Sequence, residues 1–487
     1  MNDVGPSRGF PKAVYTKQVF RRYAGNKFIE ALPPLTDEKA LTLGMWRKIT
    51  VTEEERQQSS FLRHHMVATI HKCFMQPLTD HVFLATEVSA IMRAGYLGRD
   101  PSSPAFLRSI GLAVKAMRVA ADHPNTEAGD GMALIGMSGV GKSTAIDSVL
   151  RFYPEVIWHR DLTGPLRTTH QVTYVKVVCP IDGSIMTVCR SFFLQLDAKL
   201  GTNYYYLYTR NATLEQMRDQ MGILCFVHGV GLFIIDEVQN LVGAKGGSGQ
   251  KLLNFFLGLR DALKVPVIAI GTHEALPVLS QSLRLARRHA GQRLFERMKQ
   301  DSEFDLFCKG LFPAYYLRIP LDPTPEFRTE LYELSQGITD VAIRLFELAQ
   351  SRALADGEEI IRPDTLRIVY DESLHLLHEH LADIREGRQF DEHAWEAALR
   401  AVRNGNGAKR SASTTVKENE SKASRPGALR TKRAAAGEIP PPREGTTSEA
   451  VPASRLVEAI DPSASGYEAL KVAGFIRDLG AEVIRGD

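Results

Sequence analysis

Residues 136–143, Gly-Met-Ser-Gly-Val-Gly-Lys-Ser, fit the pattern G-x-x-x-x-G-K-[ST] without a mismatch. The apolar run 132–136 predicts a buried strand before this segment, and the sequence from Ser143 to Phe152 predicts a helix after it. A glycine-rich loop between a strand and a helix lets backbone N–H groups surround phosphate oxygens, and the helix N-terminus adds partial positive charge. The segment therefore predicts a phosphate-binding loop.

Two residues of this loop define the expected ligand. Lys142 is expected to neutralise the β- and γ-phosphates, and the Ser143 hydroxyl is expected to ligate Mg²⁺. ATP and Mg²⁺ are therefore the expected cofactors. The other residues expected to bind the nucleotide belong to the same loop and to the start of its helix: Gly136, Ser138, Gly139, Val140, Gly141 and Thr144.

A second apolar strand, starting at Phe233, ends in the carboxylates of Asp236 and Glu237. Ligands of open parallel sheets bind at the carboxyl ends of the strands, so we expect this pair beside the glycine-rich loop. Asp236 is placed to hold Mg²⁺, mainly through water, and Glu237 to orient and polarise the attacking water. An Asp-Glu pair at a strand end is also typical of capping of the next helix. Its position about 95 residues after the loop favours the catalytic interpretation.

Thr272 and an arginine cluster complete the predicted catalytic residues. Thr272 follows the apolar strand 267–270 and is expected to contact the attacking water or the γ-phosphate, with a simple turn hydroxyl as the alternative. Phosphoryl transfer in this class is accelerated about 10³- to 10⁵-fold by an arginine that contacts the transition-state charge. In a ring of subunits, Arg288 is our candidate to reach a neighbour's nucleotide; a solvated basic helix face is the alternative. The cluster contains five arginines within 14 residues: Arg284, Arg287, Arg288, Arg293 and Arg297.

The rest of the sequence predicts an α/β fold. The apolar runs 132–136, 172–178, 232–236 and 265–271 are each followed by a helix-length segment, which is typical of a parallel sheet with crossover helices. Strands largely cease after Pro320. We expect an N-terminal arm and helical extension over 1–104, a nucleotide-binding base over 105–320, a helical lid over 321–402, a disordered basic linker over 403–450 and a C-terminal docking segment over 451–487.

Charge is distributed unevenly along the 487 residues. The total of 60 basic and 57 acidic side chains leaves +3, but residues 101–300 carry 22 basic and 15 acidic side chains while 301–400 carry 10 and 21. A basic surface on the base could therefore face phosphates. Five widely spaced cysteines without a CxxC motif fit a reducing cytosol. No apolar run reaches the roughly 18 residues of a membrane span, so we expect a cytoplasmic protein without a membrane partner.

These features, in this order, resemble the AAA+ ATPases of the TnsC/TniB type, which regulate cut-and-paste DNA transposition. The resemblance covers about residues 18–385. Besides the loop it is carried by five segments: Tyr-Ala-Gly-Asn-Lys-Phe-Ile-Glu-Ala-Leu-Pro-Pro at 23–34, Ile-Ile-Asp-Glu-Val-Gln at 234–239, Ile-Gly-Thr at 270–272, Arg-Leu-Ala-Arg-Arg-His-Ala-Gly at 284–291 and Ser-Gln-Gly-Ile-Thr-Asp-Val-Ala-Ile-Arg at 335–344.

The resemblance implies a five-stranded parallel AAA+ sheet followed by an all-helical lid, with Thr272 as sensor 1, Arg288 as the trans arginine finger and Arg344 at the sensor 2 position. It also implies ATP-dependent rings or helical filaments of the protein around double-stranded DNA, which recruit the transposase, receive a signal from a TniQ/TnsD-type target selector and disassemble on hydrolysis. C-terminal tails of the family can dock transposase subunits.

DNA contacts in the family come from the helix after the second strand and from the loop beyond it. Backbone contacts of this kind position a protein without reading sequence, and their affinity falls steeply with salt. For each candidate, ordinary surface polarity is the alternative. The implied contacts are Thr187, Arg190, Lys199, Thr202, Asn203 and Arg210. Two other functions stay open: a replication initiator or helicase-loader ATPase, and a signalling NTPase that acts without DNA.

Overall fold

A computed structural model describes residues 9–120, 131–160, 162–163, 168–244, 247–281, 289–388 and 391–404. The expected docking segment, nearly all of the expected linker, and the arginines Arg284, Arg287 and Arg288 lie outside these residues.

Five parallel strands form the central sheet. In chain order they are β1 (Gly131–Ile135), β4 (Tyr174–Val178), β5 (Leu232–Asp236), β6 (Val267–Gly271) and β7 (His289–Leu294). Their order across the sheet is β4-β5-β6-β1-β7. The expected α/β fold with a five-stranded parallel sheet is confirmed. A separate antiparallel hairpin consists of β2 (Val156–His159) and β3 (Thr169–Val172).

Helices surround the sheet in three groups. The N-terminal helices are α1 (Lys27–Glu30), α2 (Glu38–Met45), α3 (Glu53–Arg56), α4 (Ser60–Val67), α5 (Ile70–Cys73), α6 (Thr79–Tyr96) and α7 (Phe106–Ala120). Those between or after the strands are α8 (Lys142–Leu150), α9 (Ile185–Leu200), α10 (Tyr204–Thr209), α11 (Leu214–Val227), α12 (Ser248–Leu263), α13 (Leu276–Gln281) and α14 (Ser302–Leu311). The C-terminal helices are α15 (Pro325–Ser335), α16 (Thr339–Asp356), α17 (Pro363–Ser373), α18 (His378–Glu386) and α19 (Glu392–Arg403). None of the described helices is long and apolar enough to span a membrane.

Burial explains which strands the sequence predicts well. Every residue of β1 and β6 is buried, and β5 is buried up to Asp236, as expected for central strands covered on both faces. The edge strand β7 lacks an apolar run, so the residue pattern gave no sign of it. The predicted strand 172–178 is in fact two elements, because the buried Thr173 hydroxyl donates to the Pro154 carbonyl at 2.6 Å and the chain passes there from the hairpin into the sheet.

The N-terminal extension packs tightly against the rest of the molecule. The guanidinium of Arg63, which is 1% exposed, donates two hydrogen bonds to Glu359 beside the C-terminal helices, at 2.5 and 2.6 Å. The Tyr96 hydroxyl donates to the Gly229 carbonyl at 2.7 Å. Even the start of the described chain is anchored, since the Trp158 N–H donates to the Pro11 carbonyl. The extension therefore shares one core with the base, and the expected arm is a packed segment from Gly9 onward.

A tight turn separates α15 from α16 within the expected helical lid. Gln336 and Gly337 both have left-handed backbone angles, with φ of 52° and 71°. A Cβ on Gly337 would lie 2.0 Å from the Met298 carbonyl oxygen, so only glycine fits this approach. The Met298 N–H donates to the Gly337 carbonyl at 3.0 Å. This contact fixes the turn against the chain that follows β7 and aims the start of α16 at the glycine-rich loop.

Candidate active site

A cavity of about 640 Å³ opens where β1, β5 and β6 end. This size is typical of small-molecule sites. At one end it is lined by nearly all the residues that the sequence assigned to the nucleotide and to catalysis: Ser138, Gly139, Val140, Gly141, Lys142, Ser143, Thr144, Asp236, Glu237 and Thr272. Of the assigned residues that the structure describes, Gly136 and Arg344 are not in the lining.

The glycine-rich loop ends at Gly141, whose φ of 99° is left-handed, and α8 begins at Lys142. Lys142 is 9% exposed, and its ammonium donates to the carbonyls of Gly136 and Met137 at 2.7 and 2.9 Å. Burial lowers the pKa of Lys142 to about 8. Among the described residues, this desolvated ammonium donates hydrogen bonds to these two carbonyls alone. Phosphate oxygens are stronger acceptors for it.

The two predicted magnesium ligands lie side by side. The Ser143 hydroxyl donates to Asp236 Oδ2 at 3.1 Å, and the Glu237 N–H donates to Asp236 Oδ1 at 3.1 Å. Hydroxyl and carboxylate oxygens at the edge of a phosphate site are the ligands that Mg²⁺ prefers, so these residues fit the ion.

Lys176 on β4 is a neighbour of this pair that sequence analysis missed. Its ammonium lies 2.9 Å from Asp147 Oδ1 and 3.3 Å from Asp236 Oδ2. Burial by itself lowers the pKa of Lys176, but the contacts with the two carboxylates outweigh it and raise the pKa above its usual value. A single lysine between valines of an edge strand gives no sequence signal of such a role.

Gln239 contacts both Glu237, the predicted catalytic carboxylate, and Thr272, the predicted sensor 1 residue. Its amide N–H donates to Glu237 Oε2 at 2.5 Å, while its carbonyl oxygen accepts from the Thr272 N–H at 3.3 Å. Glu237 itself has a left-handed φ of 60°. Burial raises its pKa, and the nearby charges of Glu396 and Asp236 raise it further. The Thr272 hydroxyl is buried without a hydrogen-bond partner among the described residues. A buried donor of this kind fits a ligand oxygen.

The start of α16 contacts the glycine-rich loop directly. The Asp340 N–H donates to the Gly139 carbonyl at 3.0 Å. The Asp340 carboxylate is 5% exposed and lies 3.0 Å from His71 Nε2 and 3.2 Å from Arg403 Nε. Although burial by itself raises the pKa of Asp340, these two partners lower it below its usual value. The Gln-Gly-Ile-Thr-Asp segment therefore links the loop to α5 and α19.

Helix α19 contacts two of the loops that border the site. Trp395 is fully buried, and its indole N–H donates to the Ser138 carbonyl at 2.9 Å. Glu392 pairs with His273 and accepts from the Glu274 N–H at 3.3 Å. The helix therefore bridges the glycine-rich loop and the loop that follows β6. Sequence analysis placed it in the lid without a role.

Part of the cavity wall is apolar. It consists of Phe74, Met75, Leu78, Phe295, Met298, Phe307 and Ile343. His81 also lines it, and burial lowers the pKa of His81 to about 4, so the ring is neutral at pH 7. Apolar and aromatic side chains in the same cavity as a phosphate loop suit the planar base of a nucleotide.

The predictions for Arg288 and Arg344 have different outcomes. Arg288 lies outside the described residues. Arg344 points to Glu347, with Nη1 4.0 Å from Oε2, away from the cavity lining. Two other arginines do line the cavity: Arg403, and Arg297, whose Nη1 donates to the Gln336 carbonyl at 2.9 Å. The sensor 2 assignment of Arg344 stays a prediction.

The predicted DNA contacts fall into two classes. Thr187, Arg190, Asn203 and Arg210 are exposed on or near α9 and α10. Thr202 and Lys199 have internal partners. The Thr202 hydroxyl donates to Asp197 at 2.7 Å.

Lys199, a predicted DNA contact, has a mostly buried side chain. Its side chain is only 7% exposed, and its ammonium lies 2.8 Å from Glu155 and over the ring of Tyr174. A lysine in this position presents no charge at the surface.

Comparisons with known proteins fit this geometry. Residues 127–279 match the AAA domain family, just under a third of the chain, and the match includes the glycine-rich loop, Asp236, Glu237 and Thr272. No curated protein matches the chain. Together with the parallel five-stranded sheet and the phosphate loop, the match identifies the fold as that of an AAA+ P-loop NTPase.

Three solved structures are similar at low identity. A Walker-type ATPase of Pyrococcus abyssi is 14% identical, with a TM-score of 0.36, over 60% of this chain and 88% of that chain. The ORC1 protein of Aeropyrum pernix in complex with DNA is 14% identical, with a TM-score of 0.35, over 62% and 82%. The ORC of Drosophila bound to DNA is 13% identical, with a TM-score of 0.32, over 66% and 80%.

Proposed function

We propose that the protein binds ATP with Mg²⁺, hydrolyses it, and uses the cycle to control its own assembly on double-stranded DNA during transposition. One observation carries the enzymatic part: Lys142, the Ser143–Asp236 pair and Glu237 meet in one cavity at the carboxyl edge of the sheet. Each has the chemistry that phosphoryl transfer to water needs.

The residues divide the reaction among them. Lys142 and the loop N–H groups bind the phosphates. Ser143 and Asp236 would hold Mg²⁺, which when bound neutralises charge on the β- and γ-phosphates. Glu237 accepts a hydrogen bond from the attacking water and orients it, and Gln239 fixes the Glu237 carboxylate. The unpartnered Thr272 hydroxyl donates to the water or to a γ-phosphate oxygen.

The role in transposition rests on the resemblance to TnsC/TniB-type regulators. Its support in the molecule is that the Gln-Gly-Ile-Thr-Asp segment, shared with that family, contacts the phosphate loop, so nucleotide binding acts directly on the lid. Exposed Thr187 and Arg190 on α9 are available to phosphates of a duplex. The partners in this proposal are duplex DNA, further copies of the chain, a transposase and a TniQ/TnsD-type selector.

ATP hydrolysis by the purified full chain, with and without duplex DNA, tests this proposal. We expect hydrolysis that DNA accelerates, and a double variant Thr187→Glu/Arg190→Glu that keeps the basal rate but loses the acceleration. A rate that DNA leaves unchanged would favour a signalling NTPase. DNA acceleration together with a co-purifying replicative helicase would favour an initiator or helicase loader. Capture of a transposase supports the proposal.

A further inference from the structure

The ammonium of Lys176 lies beside the carboxylate expected to hold the metal. Lys176 pairs in register with Ile234 on β5, two residues before Asp236, so its side chain reaches the carboxyl edge of the sheet. It is 26% exposed and lies between two carboxylates, 2.9 Å from Asp147 Oδ1 and 3.3 Å from Asp236 Oδ2. The two carboxylates belong to different elements, α8 and β5.

The hydrogen-bonding capacity of Asp236 is used by these neighbours. Oδ1 accepts from the Glu237 N–H, and Oδ2 faces both the Ser143 hydroxyl at 3.1 Å and the Lys176 ammonium at 3.3 Å. The ammonium thus neutralises the oxygen that also faces Ser143. A divalent cation held by Ser143 and Asp236 would lie close to this ammonium, and like charges at such distances repel measurably in a partly buried site.

We propose that Lys176 is a positioning residue that competes with Mg²⁺ for Asp236. Without metal, Lys176 neutralises Asp236 and keeps the site ordered. When metal binds, the ammonium leaves Asp236 and keeps Asp147, which is 52% exposed and is already its nearer partner at 2.9 Å. Lys176 and Asp147 together set the Mg²⁺ concentration at which the nucleotide site saturates. The inference rests on the proposed ATP and Mg²⁺ site.

Two substitutions should move Mg²⁺ dependence in opposite directions. Lys176→Met keeps the length of the side chain and removes the competing charge, so the half-saturating Mg²⁺ concentration should fall about threefold to tenfold, the scale of one partly screened ion pair. Asp147→Asn removes the negative charge of the nearer partner and leaves Asp236 as the charged partner of the ammonium, so the half-saturating concentration should rise by a similar factor. A single structural disturbance would not give opposite signs.

The measurement is a Mg²⁺ titration of the full chain with N-methylanthraniloyl-ADP, followed by fluorescence, which requires no turnover. Lys199→Met is the matched control, because Lys199 is a buried lysine paired with Glu155 and should leave the Mg²⁺ midpoint unchanged. Equal midpoints in wild type, Lys176→Met and Asp147→Asn, or shifts of the same sign, would overturn the inference. Failure of the wild type to bind the probe at any Mg²⁺ concentration would instead overturn the proposed function with it.

Discussion

The glycine-rich loop, residues 136–143, and helix α19, residues 392–403, border the same cavity by different means. The loop supplies its phosphate-binding groups from eight consecutive residues, and its geometry follows from glycines and a helix start. The helix reaches the site through packing, since Trp395 and Ser138 are 257 residues apart in the chain. The phosphate-binding residues are thus neighbours in the sequence. The helix that packs against them is brought there by contacts between residues far apart in the chain.

The two regions also place charges of opposite sign near Glu237. The loop presents Lys142 and N–H groups to the cavity, whereas the negative charges of Glu392 and Glu396 on α19 act on Lys142. Arg403, at the end of α19, lines the cavity. Burial raises the pKa of Glu237, and the nearby charge of Glu396 raises it further. An incoming triphosphate is therefore attracted by Lys142 and repelled by Glu392 and Glu396. Removing the charge of Lys142 and removing that of Glu396 should change nucleotide affinity in opposite directions.

Lys142→Ala should have the largest effect. It removes the cation that the loop offers to the β- and γ-phosphates, and we expect ATP affinity to fall by more than about 100-fold, as for the loss of a charged partner in a desolvated site. Isothermal titration calorimetry measures the loss. Because the Lys142 ammonium is desolvated, the melting temperature of the ligand-free protein should not fall. Affinity within tenfold of wild type would contradict the role of the loop.

Glu237→Gln should separate binding from hydrolysis. The amide keeps the shape of the side chain but accepts a proton poorly, so turnover should fall about 10²- to 10⁴-fold while ATP affinity stays within a few fold. Phosphate release under saturating ATP measures turnover. Glu296→Gln is the matched control, because Glu296 also lines the cavity but is exposed. Wild-type turnover in Glu237→Gln would remove Glu237 from the mechanism.

Mild acid should lower the free energy of unfolding of the protein. Burial lowers the pKa of His81, His159 and His228 to about 4 each, so between pH 6.5 and 4 the unfolded state binds more protons than the folded state. The contribution of each histidine to the free energy of unfolding is therefore full above pH 6.5 and is lost as pH falls, by about 2 kcal/mol per histidine between pH 7 and pH 5.

Urea unfolding at pH 7 and pH 5 measures this loss. The difference between the two pH values should shrink by about a third in His228→Gln, because one of the three titrating groups is gone. Equal unfolding free energies at pH 7 and pH 5 in the wild type would contradict the neutral buried state of these histidines.

Glu396→Gln should have the smallest effect and the opposite sign to Lys142→Ala. Removing one carboxylate near the triphosphate should raise ATP affinity about twofold to fivefold, because the charge is partly screened and already paired with Arg400 at 2.6 Å. Arg400→Ala should lower affinity slightly, since it leaves Glu396 unpaired. Competition with a fluorescent nucleotide resolves both changes. Weaker binding in Glu396→Gln would remove the proposed opposition between the two regions.

Sequence reasoning recovered the locally encoded part of the molecule. The loop, the strands ending at Asp236 and Gly271, and the C-terminal helices follow from apolar runs, glycines and helical spacing. The edge strand β7 has no apolar run, and it entered only through the resemblance. The roles of Lys176 and Trp395 depend on partners brought near by the fold, so no spacing rule could find them. The burial of Lys199 against Glu155 was hidden for the same reason.

Electron microscopy of Glu237→Gln on duplex DNA tests the central claim most directly. With ATP, we predict rings or filaments that persist on the DNA, because the nucleotide binds and is not hydrolysed. Without ATP, and in Lys142→Ala with ATP, the DNA should remain bare. Absence of assemblies in Glu237→Gln with ATP, or equal assembly with and without ATP, would contradict an ATP-controlled assembly on DNA.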